Sequence, residues 1–106
     1  MKIGIIIETK DYEKAYNGMR FAVTAFKIGQ EVKVFLLGDG VEIPYLTHEI
    51  FNVTGQVKEF NHVGGEILAC GTCMNTRSMK ESDVFSVSTM VECVDMVEWA
   101  DKVVTF

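Results

Sequence analysis

The sequence predicts a three-layer α/β/α domain built on a mainly parallel sheet of about five strands. Three observations carry this reading. Short, β-branched apolar runs alternate with longer stretches whose apolar residues recur every three or four positions. Glycines mark the joints, and Pro44 is the only proline. The 106 residues are 48% hydrophobic and 24% charged, the balance of one globular domain spanning residues 1–106.

Taken in order, Lys2 to Glu8 is an Ile-rich run, short enough for a strand buried on both faces. Asp11 is placed to cap a helix whose face is Tyr12, Ala15, Tyr16, Met19, Ala22, Val23 and Phe26. Gly29 ends that helix. Val32 to Leu37 reads as a second strand, broken by Gly38-Asp39-Gly40. Leu46, Ile50, Val53, Val57, Phe60 and Val63 keep helical spacing up to Gly64-Gly65. Glu66 to Cys70 is a third strand, and a short polar helix is expected from Thr72 to about Lys80. Val84 to Val87 makes a short fourth strand. Thr89 and Glu92 form a capping box for a helix with Met90, Cys93, Val94, Val97 and Ala100 on its apolar face. Lys102 to Phe106 is the last strand.

Charge narrows the function. Fifteen acidic against ten basic residues leave a net charge of −5, with no basic cluster, which argues against nucleic acid and against membrane surfaces. No apolar run approaches the ~20 residues of a membrane-spanning helix. The N-terminal apolar stretch is too short for a signal peptide, so a cytoplasmic location is expected. Three cysteines, an odd number, do not form a secreted disulfide framework; they point to redox, sulfur or metal chemistry.

Strict alternation of strands and helices brings the loops after the strands to one edge, where open α/β sheets bind ligands. Thr9–Asp11, Gly38–Val41 and Cys70–Cys73 are those loops. Cys70 ends a strand and Cys73 enters the following helix. Unpaired amides and the helix dipole there favour a thiolate. Gly71 allows a sharp turn that would leave the sulfur accessible, and Thr72 completes the loop. Arg77, four residues after Cys73, is placed to stabilise a thiolate or persulfide. The alternative is a buried structural pair of cysteines. Gly38-Asp39-Gly40 is a candidate anion site on backbone amides, or simply a tight strand exit. Zinc wants four ligands, and no second Cys-x-x-Cys exists. His48 and His62 share no ligand spacing and Cys93 falls on an apolar face, so neither a metal nor another cofactor is expected.

The chain resembles the DsrE/DsrF-like sulfur-relay proteins, including their YchN-like branch. The resemblance runs from the first strand and helix through Gly38-Asp39-Gly40-Val41 and Cys70-Gly71-Thr72-Cys73-Met74 to the terminal Ala100-Asp101-Lys102-Val103. It implies a small α/β domain that assembles into homo-oligomers, trimers or hexamers. It also implies sulfur carried as a persulfide on the cysteine ending the third strand, which matches Cys70, with Arg77 as the matching basic residue. The implied partners are a sulfur donor protein and an acceptor protein. Cys73 departs from carriers that have no second cysteine here, and fits the YchN-like branch. Two other functions stand beside the carrier: a dithiol–disulfide oxidoreductase or redox sensor using Cys70 and Cys73, and a structural oligomer. Against the oxidoreductase, Pro44 lies far from the cysteines. For the oligomer, Met74, Met79 and Phe85 are expected as exposed apolar residues near loops.

Overall fold

The computed structural model describes residues 1–106. Five strands, β1 (Lys2–Ile7), β2 (Glu31–Leu36), β3 (Glu66–Cys70), β4 (Ser86–Ser88) and β5 (Lys102–Thr105), form one sheet in the order β4-β3-β2-β1-β5. Every neighbouring pair is parallel. The helices are α1 (Tyr12–Lys27), α2 (Val53–His62), α3 (Gly71–Thr76) and α4 (Met90–Trp99).

Strand β1 shows how the layers are sorted. Its side chains alternate between faces. Ile3, Ile5 and Ile7 are buried on one side, where Ile7 meets α1 at Gly18. Gly4 lies on the other side under Met96 of α4, and a Cβ there would come 3.3 Å from the Met96 methyl. α1 packs beside α2 on the first face, and α4 covers the second. The predicted three-layer parallel architecture is therefore the observed one.

Caps explain most element ends. Asp11 accepts the Lys14 amide at 3.0 Å and Thr89 accepts the Glu92 amide at 3.3 Å, as their positions in the sequence predict. Gly29 and Gly64 take the left-handed conformation that closes α1 and α2, with φ of 95° and 98°.

Three elements differ from expectation. The helix expected from Leu46 to Val63 is shorter. Gly38–Tyr45 forms a 3₁₀ segment containing Pro44, and residues 46–52 are irregular. His48 decides this locally, because its Nδ1 accepts the amides of Ile50 and Phe51, both at 3.1 Å. Asn52 then caps α2 by accepting the Gly55 amide. The fourth strand is shifted to Ser86–Ser88. α3 ends at Thr76 rather than near Lys80, because Ser78 adopts φ 52° and the Ser78 and Met79 amides turn back to Asn75 and Met74. This is the same closing motif as at Gly29, made without glycine. A left-handed serine costs roughly 1 kcal/mol. Ser78→Gly should raise the unfolding free energy by about that amount. A urea titration with an unchanged midpoint would show that the strain is relieved elsewhere.

The apolar faces also need correction. Met74 and Phe85 are buried and Met79 packs partly against the core, so none of these forms the exposed cluster expected of them. On α4 the sheet takes Cys93 and Met96. Met90, Val91, Val94 and Val97 are left exposed. The helix is apolar on two sides, and its periodicity alone could not say which one meets the sheet.

Candidate functional site

Parallel strands bring the ends of β1, β2 and β3 to one edge, and the cysteines sit there. Cys70 is the last residue of β3 and the residue capping α3; its Sγ accepts the Cys73 amide at 3.5 Å. Gly38 follows β2 with φ 56°, a conformation glycine adopts without strain, and its amide reaches Cys73 Sγ at 3.2 Å. Each sulfur of the pair thus receives one backbone N–H.

Burial corrects two expectations. Gly71 does not leave the Cys70 sulfur accessible: Cys70 is only 4% exposed, and Cys73 is the more open of the two. Gly71 instead lets the loop lie against β4, since a Cβ there would approach the Ser88 carbonyl and the Val87 side chain at 3.2 Å each. Burial also pushes the Cys73 thiol above the usual range, and the neighbouring Cys70 thiol adds to the rise. The Gly38 amide and the Arg77 charge act the other way, Arg77 least, and do not overcome burial. Cys73 is therefore held as a thiol at neutral pH, whereas its place near the start of α3 had suggested a thiolate.

Arg77 is brought close, but its donors go elsewhere. Nε donates to Glu42 Oε2 at 2.9 Å, one terminal nitrogen to Asp39 Oδ1 at 2.7 Å, and the other to the Cys73 carbonyl at 3.1 Å. The guanidinium ties the end of α3 to the 3₁₀ segment. The Arg77 hydrogen bond, aided by Lys10 at 3.3 Å, holds the Glu42 carboxyl below the usual carboxylate range. Asp39 and Glu42 raise the pKa of Arg77 in return, Asp39 most.

The Gly38–Gly40 turn is occupied by these contacts. Gly38 donates to Cys73 Sγ, the Gly40 amide donates to the Leu37 carbonyl, and Asp39 pairs with Arg77. Thr72 is exposed, and its carbonyl accepts the Thr76 hydroxyl. His48 holds its own loop and His62 is exposed at the end of α2, far from any common arrangement with the cysteines in sequence or contact.

Two neighbours were missed from sequence, Glu42 and Ser88. Glu42 lies 35 positions from Arg77 and is paired with it only by the fold. Ser88 stands beside Cys70 in the β3–β4 register and is buried. Cys93 comes in from α4, buried as its apolar face predicts; desolvation pushes its thiol up first, then the charges of Cys70 and Glu8. None of the surface hollows includes a cysteine, and the largest, about 310 Å³, lies around Met1, Ile3 and Phe21 near the start of β1.

Comparison with known proteins agrees with this architecture. The chain is 35% identical, over an alignment 114 positions long with gaps, to the uncharacterized protein MJ0989 of Methanocaldococcus jannaschii, with both chains covered completely. It is 34% identical, over an alignment of 112 positions, to the uncharacterized protein MK0008 of Methanopyrus kandleri, covering 98% of this chain and 93% of the relative. Among solved structures, the ychN protein of E. coli superposes with a TM-score of 0.85 at 22% identity, covering all of both chains. Protein BT1422 of Bacteroides thetaiotaomicron superposes with a TM-score of 0.79 at 17% identity, over 99% of this chain and 94% of that one. At these identities the two structures establish a shared fold. The sequence profile of the DsrE/DsrF-like family matches residues 1–106, and the chain belongs to that family.

Proposed function

We propose that this protein carries sulfane sulfur as a persulfide on Cys70, between a donor and an acceptor protein, as its family resemblance implies. The Cys70 thiolate attacks the outer sulfur of a donor persulfide. A new S–S bond forms at Cys70, the donor's S–S bond breaks, and the donor leaves as a thiolate, so the exchange needs no external oxidant or reductant. The observation that carries the reading is the backbone N–H given to each sulfur at the carboxyl edge of the sheet, where anionic sulfur can be held. No helix is long and apolar enough to cross a membrane, and we place the domain, residues 1–106, in the cytoplasm.

The contact between Cys70 and Cys73 favours a second reading, dithiol–disulfide exchange. Deprotonated Cys73 could attack Cys70 Sγ, break the persulfide S–S bond, release sulfide and leave a Cys70–Cys73 disulfide. The Cys73 sulfur is oxidised from thiolate to disulfide and the outer sulfur is reduced to sulfide, so the step balances. The raised Cys73 pKa makes the attack slow at neutral pH, which favours carriage over release. Sulfide release from the loaded protein should therefore increase as pH rises toward the Cys73 pKa, and Cys73→Ser should remove that increase. Mass spectrometry and sulfide assays under anaerobic conditions measure both. A gain of one sulfur on Cys70 supports carriage, and a loss of two hydrogens supports the disulfide. Equal release from both forms would make Cys73 a bystander.

The protein is proposed to work as a homo-oligomer, a trimer or hexamer. Met90, Val91, Val94 and Val97 form an exposed apolar stripe along α4, the kind of surface that marks an interface. Light scattering after size exclusion should give a multimer at micromolar concentration, and Val94→Glu should lower its mass. A wild-type monomer would remove this part of the reading.

A further inference from the structure

We infer that the Ser88 hydroxyl is a hydrogen-bond donor to the outer sulfur when Cys70 is loaded, an assignment that rests on the carrier reading above. The starting observation is a buried polar group without a partner. Ser88 is 4% exposed, and its Oγ makes no hydrogen bond. Buried hydroxyls are normally paired, because leaving one unpaired costs free energy. An unpaired one beside a reactive sulfur requires an explanation.

Register supplies it. Cys70 and Ser88 are paired positions on the adjacent parallel strands β3 and β4. Paired residues of neighbouring strands point to the same face, about 4.8 Å apart at the backbone. Gly71 presses the cysteine loop onto the end of β4, with its Cβ position 3.2 Å from the Ser88 carbonyl. In the resting protein Cys70 Sγ receives the Cys73 amide, and the serine hydroxyl is left over. A persulfide adds a second sulfur about 2.05 Å beyond Sγ. That sulfur is anionic at neutral pH and has no donor of its own. The hydroxyl can rotate to meet it. Each sulfur of the loaded group then has one donor, the Cys73 amide for the inner atom and Ser88 for the outer. No bond is made or broken by the serine; it holds the carried sulfur as an anion.

Two titratable groups interact with Cys70, Cys73 on α3 and Cys93 on α4; Arg77 acts on Cys73, and Glu8, which follows β1, acts on Cys93. All four are common to the variants compared below, so a difference between variants reports on residue 88.

The test loads wild type, Ser88→Ala and Ser88→Thr with glutathione persulfide under anaerobic conditions. Intact mass follows the lifetime of the sulfur on Cys70, and alkylation of the persulfide is measured against pH. Ser88→Ala should melt at the wild-type temperature or above it, because the resting hydroxyl has no partner to lose. Its persulfide should be lost about tenfold faster, the size of a hydrogen bond to a charged group. Its alkylation profile should move up by about one pH unit. Ser88→Thr, which keeps the hydroxyl, should restore both. An unchanged lifetime and pH profile in Ser88→Ala overturns the assignment. A lower melting temperature also overturns it, since the hydroxyl would then already be paired at rest. If wild type takes up no sulfur on Cys70, the carrier reading itself fails and the assignment falls with it. If wild type loads and Ser88→Ala matches it, only the assignment fails.

Discussion

Cys70→Ser should abolish persulfide loading. The serine hydroxyl has a pKa far above that of a thiol, so it supplies no anion near neutrality to attack a donor persulfide. It also cannot hold sulfur in an exchangeable S–S bond. The fold should survive the change, because serine is smaller and the Cys73 amide that donates to Cys70 Sγ can donate to the new oxygen. Uptake of sulfur from a persulfide donor, read by mass spectrometry of the intact chain, decides the matter. Undiminished loading in Cys70→Ser would move the carrier site to Cys73 or Cys93. Arg77→Ala should slow loading without ending it. Removing the guanidinium leaves the Asp39 carboxylate unpaired and Glu42 with Lys10 alone beside the cysteine loop, and the added negative charge opposes a thiolate.

Gly40→Ala should be among the most damaging single substitutions to stability. A methyl group at residue 40 would overlap the Ile7 carbonyl oxygen, and the Ile7 carbonyl carbon lies only 2.8 Å from it. Both atoms are backbone, so no side chain can rotate away. Either the end of β1 or the 3₁₀ segment has to move, at a cost of about 3 kcal/mol, the upper part of the range for overpacked cores. A domain of this size has about 5–15 kcal/mol in all. The same shift would carry Asp39 and Glu42 away from Arg77, so the cysteine loop would loosen as well. Urea denaturation is expected to show the loss in the midpoint. A midpoint matching wild type would mean that the 3₁₀ segment yields without cost, and that it does not hold the site rigidly.

The layered fold was readable because its signals are local. A buried parallel strand has to be apolar along its length, and Ile3, Ile5 and Ile7 meet that demand within a few residues. Asp11 and Thr89 cap helices through contacts three positions away, so their effect is visible in a short window. Gly29 closes α1 for an equally local reason. The same reasoning failed where a side chain competed with periodicity. Leu46 and Ile50 keep helical spacing, yet His48 captures the amides that a helix would have used.

The sequence by itself determined that Cys70 ends a strand, that Cys73 follows within one turn, and that both belong to the edge where parallel strands finish. Strand order and chain direction are enough for that. Tertiary structure decided the electrical state of Cys73 and the company of both sulfurs. Desolvation depends on every layer packed around a thiol, and it raises the Cys73 pKa where the helix position alone suggests the reverse. Glu42 reaches Arg77 across 35 positions, and Ser88 reaches Cys70 only because β4 pairs with β3 in that register. A hydrogen bond or a burial between distant segments leaves no periodic trace in the chain, because nothing in either segment alone depends on the other.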